Sequence, residues 1–294
     1  MTKQRKTLWA NVGIHQFHLP EASNAQIFDG IITLSYKNAN DLDIVEKNLI
    51  NCNPILKNCV KWNKVNDNEL LVNDPWGSLF RLIVNDDVYD NRGITITVTI
   101  TINITITITI TTTTIIIIIT GVQPGDSSLP IAMNDICVNI PMNCNIDGIG
   151  RFYNYVFNAP IITNNDNIQV VVSPQQTLTF KKVNKNINHS DIRTDDNGMI
   201  GNHGPHISMY ITDFINSYKR AESINSLFVN YRFKRQATNI NEAISDCMFR
   251  CLDIIDPNNI NNGPIIQLEH EVRSIVTSDG KLYKSCPFYE IPAV

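Results

Sequence analysis

Ten residues near the C-terminal end, IIQLEHEVRS at 265–274, carry the densest set of groups able to do chemistry. They read as a β-strand, in which side chains alternate between two faces. Gln267, Glu269, Glu271 and Arg273 then share one face, and Leu268, His270 and Val272 share the other. On such a face Glu269 could ligate a metal ion or act as a general base, and Arg273 could receive a substrate carboxylate. The competing reading is a solvated ladder of ion pairs, each contributing only about 0–1 kcal/mol. A second strand, HISMYI at 206–211, sets His206 and Tyr210 four residues apart on one face. His206 could bind a ligand or simply cap the strand after Pro205. The Tyr210 hydroxyl could donate a proton or sit buried and hydrogen-bonded.

Both strands belong to a recurring order of elements. FDGIITLSY (28–36) reads as a strand, and NDLDIVEKNLIN (40–51) as a helix. Asn40 or Asp41 would cap that helix, with Leu42, Val45 and Leu49 on its apolar face. Strands at 69–72 and 79–84 follow, joined by the turn NDPWGS. The order repeats as a strand at 136–140, a helix at 147–157 and strands at 168–172 and 177–181. It repeats again as a strand at 206–211, a helix at 213–223 and strands at 249–254 and 265–272. Asn-rich runs such as ITNNDN, NKNINHSD and DPNNINNG supply the loops between. The opening LWANVGIHQFHLP (8–20) reads as the last strands of one further copy. His15 and His18, three apart on a strand, face opposite ways and cannot both chelate one ion.

The middle of the chain is different. Residues 94–119, ITITVTITINITITITITTTTIIIII, form an uncharged β-branched repeat, read as a low-complexity insertion without a catalytic role. Its closing Ile run is far too short to span a membrane. The whole chain has 294 residues, 43% of them hydrophobic, which is room for two ordinary domains. A net charge of −4 gives no general attraction to nucleic acid or to an anionic membrane. The start MTKQRKTLWANVG is basic but lacks an apolar run, and the seven cysteines are odd in number with no C-x-x-C pair. The expectation is a cytoplasmic protein with reduced thiols. The DGIG run at 147–150 opens a helix rather than following a strand, so nucleotide binding is not expected.

Several of these stretches together resemble one family: GRFYNYVFNAPI (150–161), NDPWGSLFRL (73–82), HQFHLP (15–20) and IIQLEHEVRS. Their order is similar to that of the vicinal oxygen chelate superfamily, which includes glyoxalase I, bleomycin-resistance proteins and extradiol dioxygenases. The resemblance implies an α+β fold of repeated βαβββ units, paired into two modules of curved sheet around a cavity. Residues 1–92 would be an N-terminally truncated first module, 93–130 the insertion and linker, and 131–294 the second module. Trp9–Leu19 would pair with the sheet of Ile31–Leu34. The half-built first module would then dimerise or lose solubility, because an open sheet edge seeks a partner.

The family's chemistry uses a divalent metal (zinc, iron, nickel or manganese) held by first and fourth strands, with open positions that polarise two neighbouring oxygens. Carried over residue by residue, the first module offers Ile31 where a His is expected and Arg81 where a Glu is expected, which leaves His18 as its one donor. The second module offers Cys137 or Asp135, Thr177 or Thr179, then His206 and Glu269. The resemblance thus implies His206, Glu269 and Cys137 as metal ligands and Glu269 and Tyr210 as catalytic groups. It implies Gln267, Arg273 and Arg81 as substrate contacts. The function expected is small-molecule binding on a glyoxalase-like fold with a degenerate metal site. The alternative is a metal-dependent lyase, isomerase or dioxygenase acting on a small oxygenated substrate in the second module. Replacing 94–119 by a short Gly/Ser linker should leave the thermal unfolding of the following units unchanged, and a collapse of that transition in calorimetry would show the repeat to be built into a sheet.

Overall fold

In the computed structural model the described residues are 7–12, 15–20, 27–52, 54–85, 130–173, 175–184, 206–231 and 233–281. The Ile/Thr repeat and its linker lie outside them. The elements are β1 (Thr7–Val12), β2 (His15–Pro20), β3 (Gly30–Tyr36), α1 (Ala39–Ile50), α2 (Pro54–Lys57), β4 (Lys61–Asn66), β5 (Glu69–Asn73) and β6 (Leu79–Val84). Then come β7 (Ala132–Pro141), α3 (Ile146–Phe157), β8 (Ile161–Thr163), β9 (Asn167–Ser173) and β10 (Gln176–Val183). The last group is β11 (His206–Ile211), α4 (Phe214–Ser223), α5 (Ile240–Asp246), β12 (Met248–Ile255) and β13 (Pro264–Ser274).

Local chemistry explains the helices. The cap of α1 lies two residues before Asn40, at Asn38, whose side chain accepts from the Asp41 N–H at 3.1 Å. α3 is capped by Asn145, which accepts from Gly148 N–H at 3.0 Å, and ends at Asn158 in the left-handed conformation. Its Ile149, Phe152, Tyr153, Val156 and Phe157 recur at helical spacing and are all fully buried.

The strands form an eight-stranded sheet in the order β4-β5-β6-β3-β7-β10-β9-β8, a three-stranded sheet in the order β11-β13-β12, and the separate hairpin β1-β2. Within the large sheet, β3-α1-β4-β5-β6 and β7-α3-β8-β9-β10 are two βαβββ units. Each runs its first strand parallel to its last, β3 beside β6 and β7 beside β10. The two first strands then meet antiparallel, from Gly30↔Val138 to Ser35↔Ala132.

This seam corrects two expectations. The unit before the Ile/Thr repeat pairs with the unit after it, whereas the sequence paired the latter with the last unit. The β1-β2 hairpin pairs with itself and not with β3. The reason is non-local: every first strand offers an edge, and sequence pattern does not say which edges meet. β4 was not expected because KWNKVN is polar and largely exposed, an edge strand without an apolar stripe. Among the described residues the last unit has two later strands, with α5 ahead of them and a single antiparallel bridge, Leu227↔Cys251, beside β12.

One face of the large sheet is core. Ile32, Leu34, Ile136, Val138, Ile140, Leu178 and Phe180 point to it, and α3 lies over it. α3 also touches β12 and α4, so it ties the two sheets together. Two polar contacts reinforce that joint. Arg151 grips Asp256 with two hydrogen bonds of 2.9 and 2.7 Å, and Asn145, Asn259 and the Asn258 N–H donate to the same carboxylate. The Arg151 bond above all holds the Asp256 carboxyl well below the usual carboxylate range. Tyr153 and His270, both fully buried, meet at 2.7 Å. His270 Nδ1 donates to the Leu268 carbonyl at 2.7 Å, so its Nε2 is the acceptor and the Tyr153 hydroxyl the donor. Burial pushes His270 down to about 4, and the imidazole is neutral in the fold.

The unfolded chain takes up a proton at His270 near pH 6.5 while the folded chain does not. Stability should therefore fall as pH drops from about 6.5 to about 4, by roughly 2 kcal/mol at pH 5. Urea unfolding at pH 7 and pH 5 reads this directly. A His270→Gln variant should lose that part of the slope, and an unchanged slope would remove His270 as its cause.

Candidate functional site

Two polar faces collect the chain's ionisable groups. The first is the face of β13 that opened the sequence reading. His206 and Glu269 are register partners on adjacent parallel strands, and Tyr210 partners Arg273. Their side chains leave on the same side of the sheet. The ladder is not at the surface: Glu269 is 2% and Arg250 3% exposed. Arg250, on β12, is the residue that organises it. Its Nη1 donates to Glu269 Oε1 at 2.6 Å and its Nη2 to Glu271 Oε2. Arg273 Nε donates to Glu271 Oε1 at 2.6 Å. The Arg250 guanidinium lies 4.4 Å from the centre of the Phe233 ring, and Asn230 reaches Glu269 at 3.5 Å. Burial alone would push Glu271 up, yet Arg250, Arg273 and His206 together hold it down at about 2.

Two arginines thus neutralise two glutamates inside the protein. Glu269, expected as metal ligand and base, is occupied by Arg250. Arg273, expected to hold a substrate, is bound to Glu271, and the Gln267 amide donates to Asp253 at 2.8 Å. Tyr210 is fully buried in the same layer. Arg250 was missed by sequence reasoning, although a signal existed: it is a lone cation in MFRCLDII, and a charge in so apolar a strand needs a buried partner.

The second face belongs to the large sheet, on the side away from α3. The seam lines up Leu71, Arg81, Thr33, Asp135, Thr177 and Val171 across adjacent strands. The next row holds Leu79, Ile31, Cys137 and Thr179. Here the residues that the sequence divided between two modules meet. Asp135 Oδ1 accepts from the hydroxyls of Thr177 and Thr179, each at 2.7 Å. Burial raises the Asp135 carboxyl above its ordinary value, against the pull of the two hydroxyls and of Arg81. Arg81 donates from Nε to Glu69 Oε1 at 2.7 Å, and its side chain is 46% exposed. Burial also pushes the Cys137 thiol up to about 11. A bulge in β7 at Asn134 and one in β9 beside Gln176 and Thr177 flank the row.

The donors do not fit the divalent metal that the resemblance implies. Cys137 lies in the eight-stranded sheet and His206 and Glu269 in the three-stranded one, so the expected triad is not one site. Among the described residues no three His, Cys, Asp or Glu side chains are grouped to hold an ion. A groove of about 440 Å³ lined by Arg151, Asn154, Tyr155 and Ser223 lies on the helix side, and its one charged group is already held by Asp256.

Removing Arg250 would leave two carboxylates buried without their shared partner. An Arg250→Met variant should lose about 3–5 kcal/mol in urea unfolding. A loss under about 1 kcal/mol would mean that water reaches this face and that the ladder is a surface feature after all.

No family model matches the chain, and no curated protein does. Solved structures similar to it include a candidate dioxygenase from Bacillus subtilis, at 11% identity and a TM-score of 0.49, covering 92% of this chain and 72% of that one. Glyoxalase I from Zea mays is similar at 9% identity and a TM-score of 0.44, covering 88% of this chain and 73% of that one. The 2,3-dioxygenase LapB from Pseudomonas is similar at 12% identity and a TM-score of 0.28, covering 91% and 80%. Among the described residues no helix is long and apolar enough to cross a membrane. The topology is the firmer ground: two βαβββ units, each with first strand parallel to last, are joined first strand to first strand in one sheet, and this is the fold of the vicinal oxygen chelate superfamily.

Proposed function

We propose that the chain is a glyoxalase-like protein that binds a small molecule on the polar face of its eight-stranded sheet, with the metal site of that fold degenerate. The observation that carries this reading is the row Arg81, Thr33, Asp135 and Thr177. It gathers one cation, one carboxylate and hydroxyls where first and fourth strands meet, and such a set orients a ligand without chelating an ion. Arg81 repels a divalent cation, and Asp135 is one carboxylate with both hydroxyl bonds on a single oxygen. The three-stranded sheet plays the structural part, because its charges are already paired.

A reducing compartment such as the cytoplasm suits this reading. Cys52, Cys59, Cys137, Cys144, Cys247 and Cys251 are all free thiols. A homodimer belongs to the same reading.

Metal analysis of the purified chain, after incubation with zinc, nickel, manganese or ferrous iron and gel filtration, tests it. The expected content is well below one ion per chain for each metal. One tightly held ion per chain, lost in Asp135→Asn or in Glu269→Gln, would overturn the reading and restore the metal-dependent lyase, isomerase or dioxygenase.

A further inference from the structure

We propose that the notch above Thr33 binds a small carboxylate carrying a hydrogen-bond donor on the neighbouring carbon, that is, a 2-hydroxy acid or an amino acid. This rests on the metal-free reading above and narrows its ligand class.

The geometry begins with three adjacent strands. Arg81 on β6 and Asp135 on β7 both partner Thr33 on β3, so Thr33 lies between them on one face. Two strand spacings put the Arg81 and Asp135 Cα atoms about 10 Å apart. Thr33 is short and buried, and it forms a floor between two longer charged walls. That width, with Arg81 leaning outward to Glu69 and Asp135 outward to Thr177 and Thr179, leaves room for a compact ligand rather than a chain.

The two walls do not satisfy each other. Arg81 and Asp135 feel each other's charge. Yet Arg81 pairs with Glu69, and no ion pair forms between Arg81 and Asp135. The Asp135 carboxylate spends Oδ1 on Thr177 and Thr179, and among the described residues no donor reaches Oδ2. Oδ2 is therefore an acceptor waiting for an O–H or N–H. The Arg81 guanidinium presents a planar fork whose best partner is a carboxylate. A ligand with an acid at one end and a hydroxyl or ammonium beside it completes both walls at once. Neither half alone does.

The row is also held firmly at its ends. Asn134, the extra residue of the β7 bulge, bonds the Ser35 hydroxyl and the Gln175 carbonyl. Asp135 next to it is thereby fixed in register with Thr33. Bulges of this kind re-aim side chains beside binding sites.

Isothermal titration of the full chain with lactate, alanine, propionate and lactamide separates the possibilities. Propionate lacks the donor and lactamide lacks the carboxylate. Saturable binding is expected for lactate or alanine, with propionate and lactamide weaker by about tenfold or more. A preference between lactate and alanine names the donor as hydroxyl or ammonium. Arg81→Met and Asp135→Asn should each weaken the favoured ligand by about tenfold at an unchanged unfolding midpoint. Propionate binding as tightly as the favoured ligand, binding indifferent to both variants, or no saturable binding by any of the four would overturn the proposal. A stoichiometric metal in the same preparation would instead overturn the metal-free reading beneath it.

Discussion

Gly30 is the point at which the large sheet closes across its seam. A Cβ there would lie 1.9 Å from the carbonyl oxygen of Cys137. That oxygen is backbone, held in the ladder of β7, so no side chain can swing aside to make room. Only glycine lets the first strands of two units approach along Gly30↔Val138. Everything on the polar face follows from that approach. Thr33 stands between Arg81 and Asp135 because β3 stands between β6 and β7. A substituent at Gly30 would force β3 away from β7 and open the row at its centre.

The two polar faces show opposite ways of handling buried charge. On the three-stranded sheet, Arg250 and Arg273 answer Glu269 and Glu271 within hydrogen-bond distance, and Phe233 lies against the cation. These pairs offset the desolvation of both carboxylates, although the buried Arg250 Nε finds no partner among the described residues. On the eight-stranded sheet, Asp135 and Arg81 are held apart and each is paired sideways, with threonines or with Glu69. The three-stranded face pairs its carboxylates with arginines, and on the eight-stranded face Asp135 Oδ2 has no donor among the described residues. Pairing, rather than the number of charged residues, decides what is available for binding.

How much was legible follows from how local each feature is. The helix at 147–157 could be read because Asn145 and the 149-152-153-156-157 spacing are contained in one stretch of chain. The strands β5, β6, β9 and β10 could be read from alternation and from the NDPWGS turn, whereas β4 and β8 could not. The partner of each unit could not. β3, β7 and β11 are all apolar-rich first strands, and the choice of edge depends on Gly30 meeting a carbonyl more than a hundred residues away. The site suffered from the same limit. Cys137 and Arg81 were each placed correctly on their strands, but assigning them to different modules hid that they lie on the same face, two strands apart. Arg250 was passed over because a cation in an apolar strand explains itself only when its partners on β13 are known.

The core side of the large sheet fixes the backbone, and the opposite side is free to change its chemistry. Ile32, Leu34, Ile136, Val138 and Leu178 pack in the core and set the positions of β3, β7 and β10. Ile31, Thr33, Arg81, Cys137 and Thr179 alternate with residues of that kind and carry none of the helix packing. A fold can therefore keep its register while its site exchanges donors for an arginine and threonines. The exchange alters what the site can do. A divalent ion offers open coordination positions and acidifies bound water. A guanidinium offers one delocalised charge and a fixed set of N–H donors, with no empty orbital to polarise a carbonyl oxygen. A face that presents Arg81 and Asp135 therefore offers fixed N–H donors and one carboxylate in place of open coordination positions.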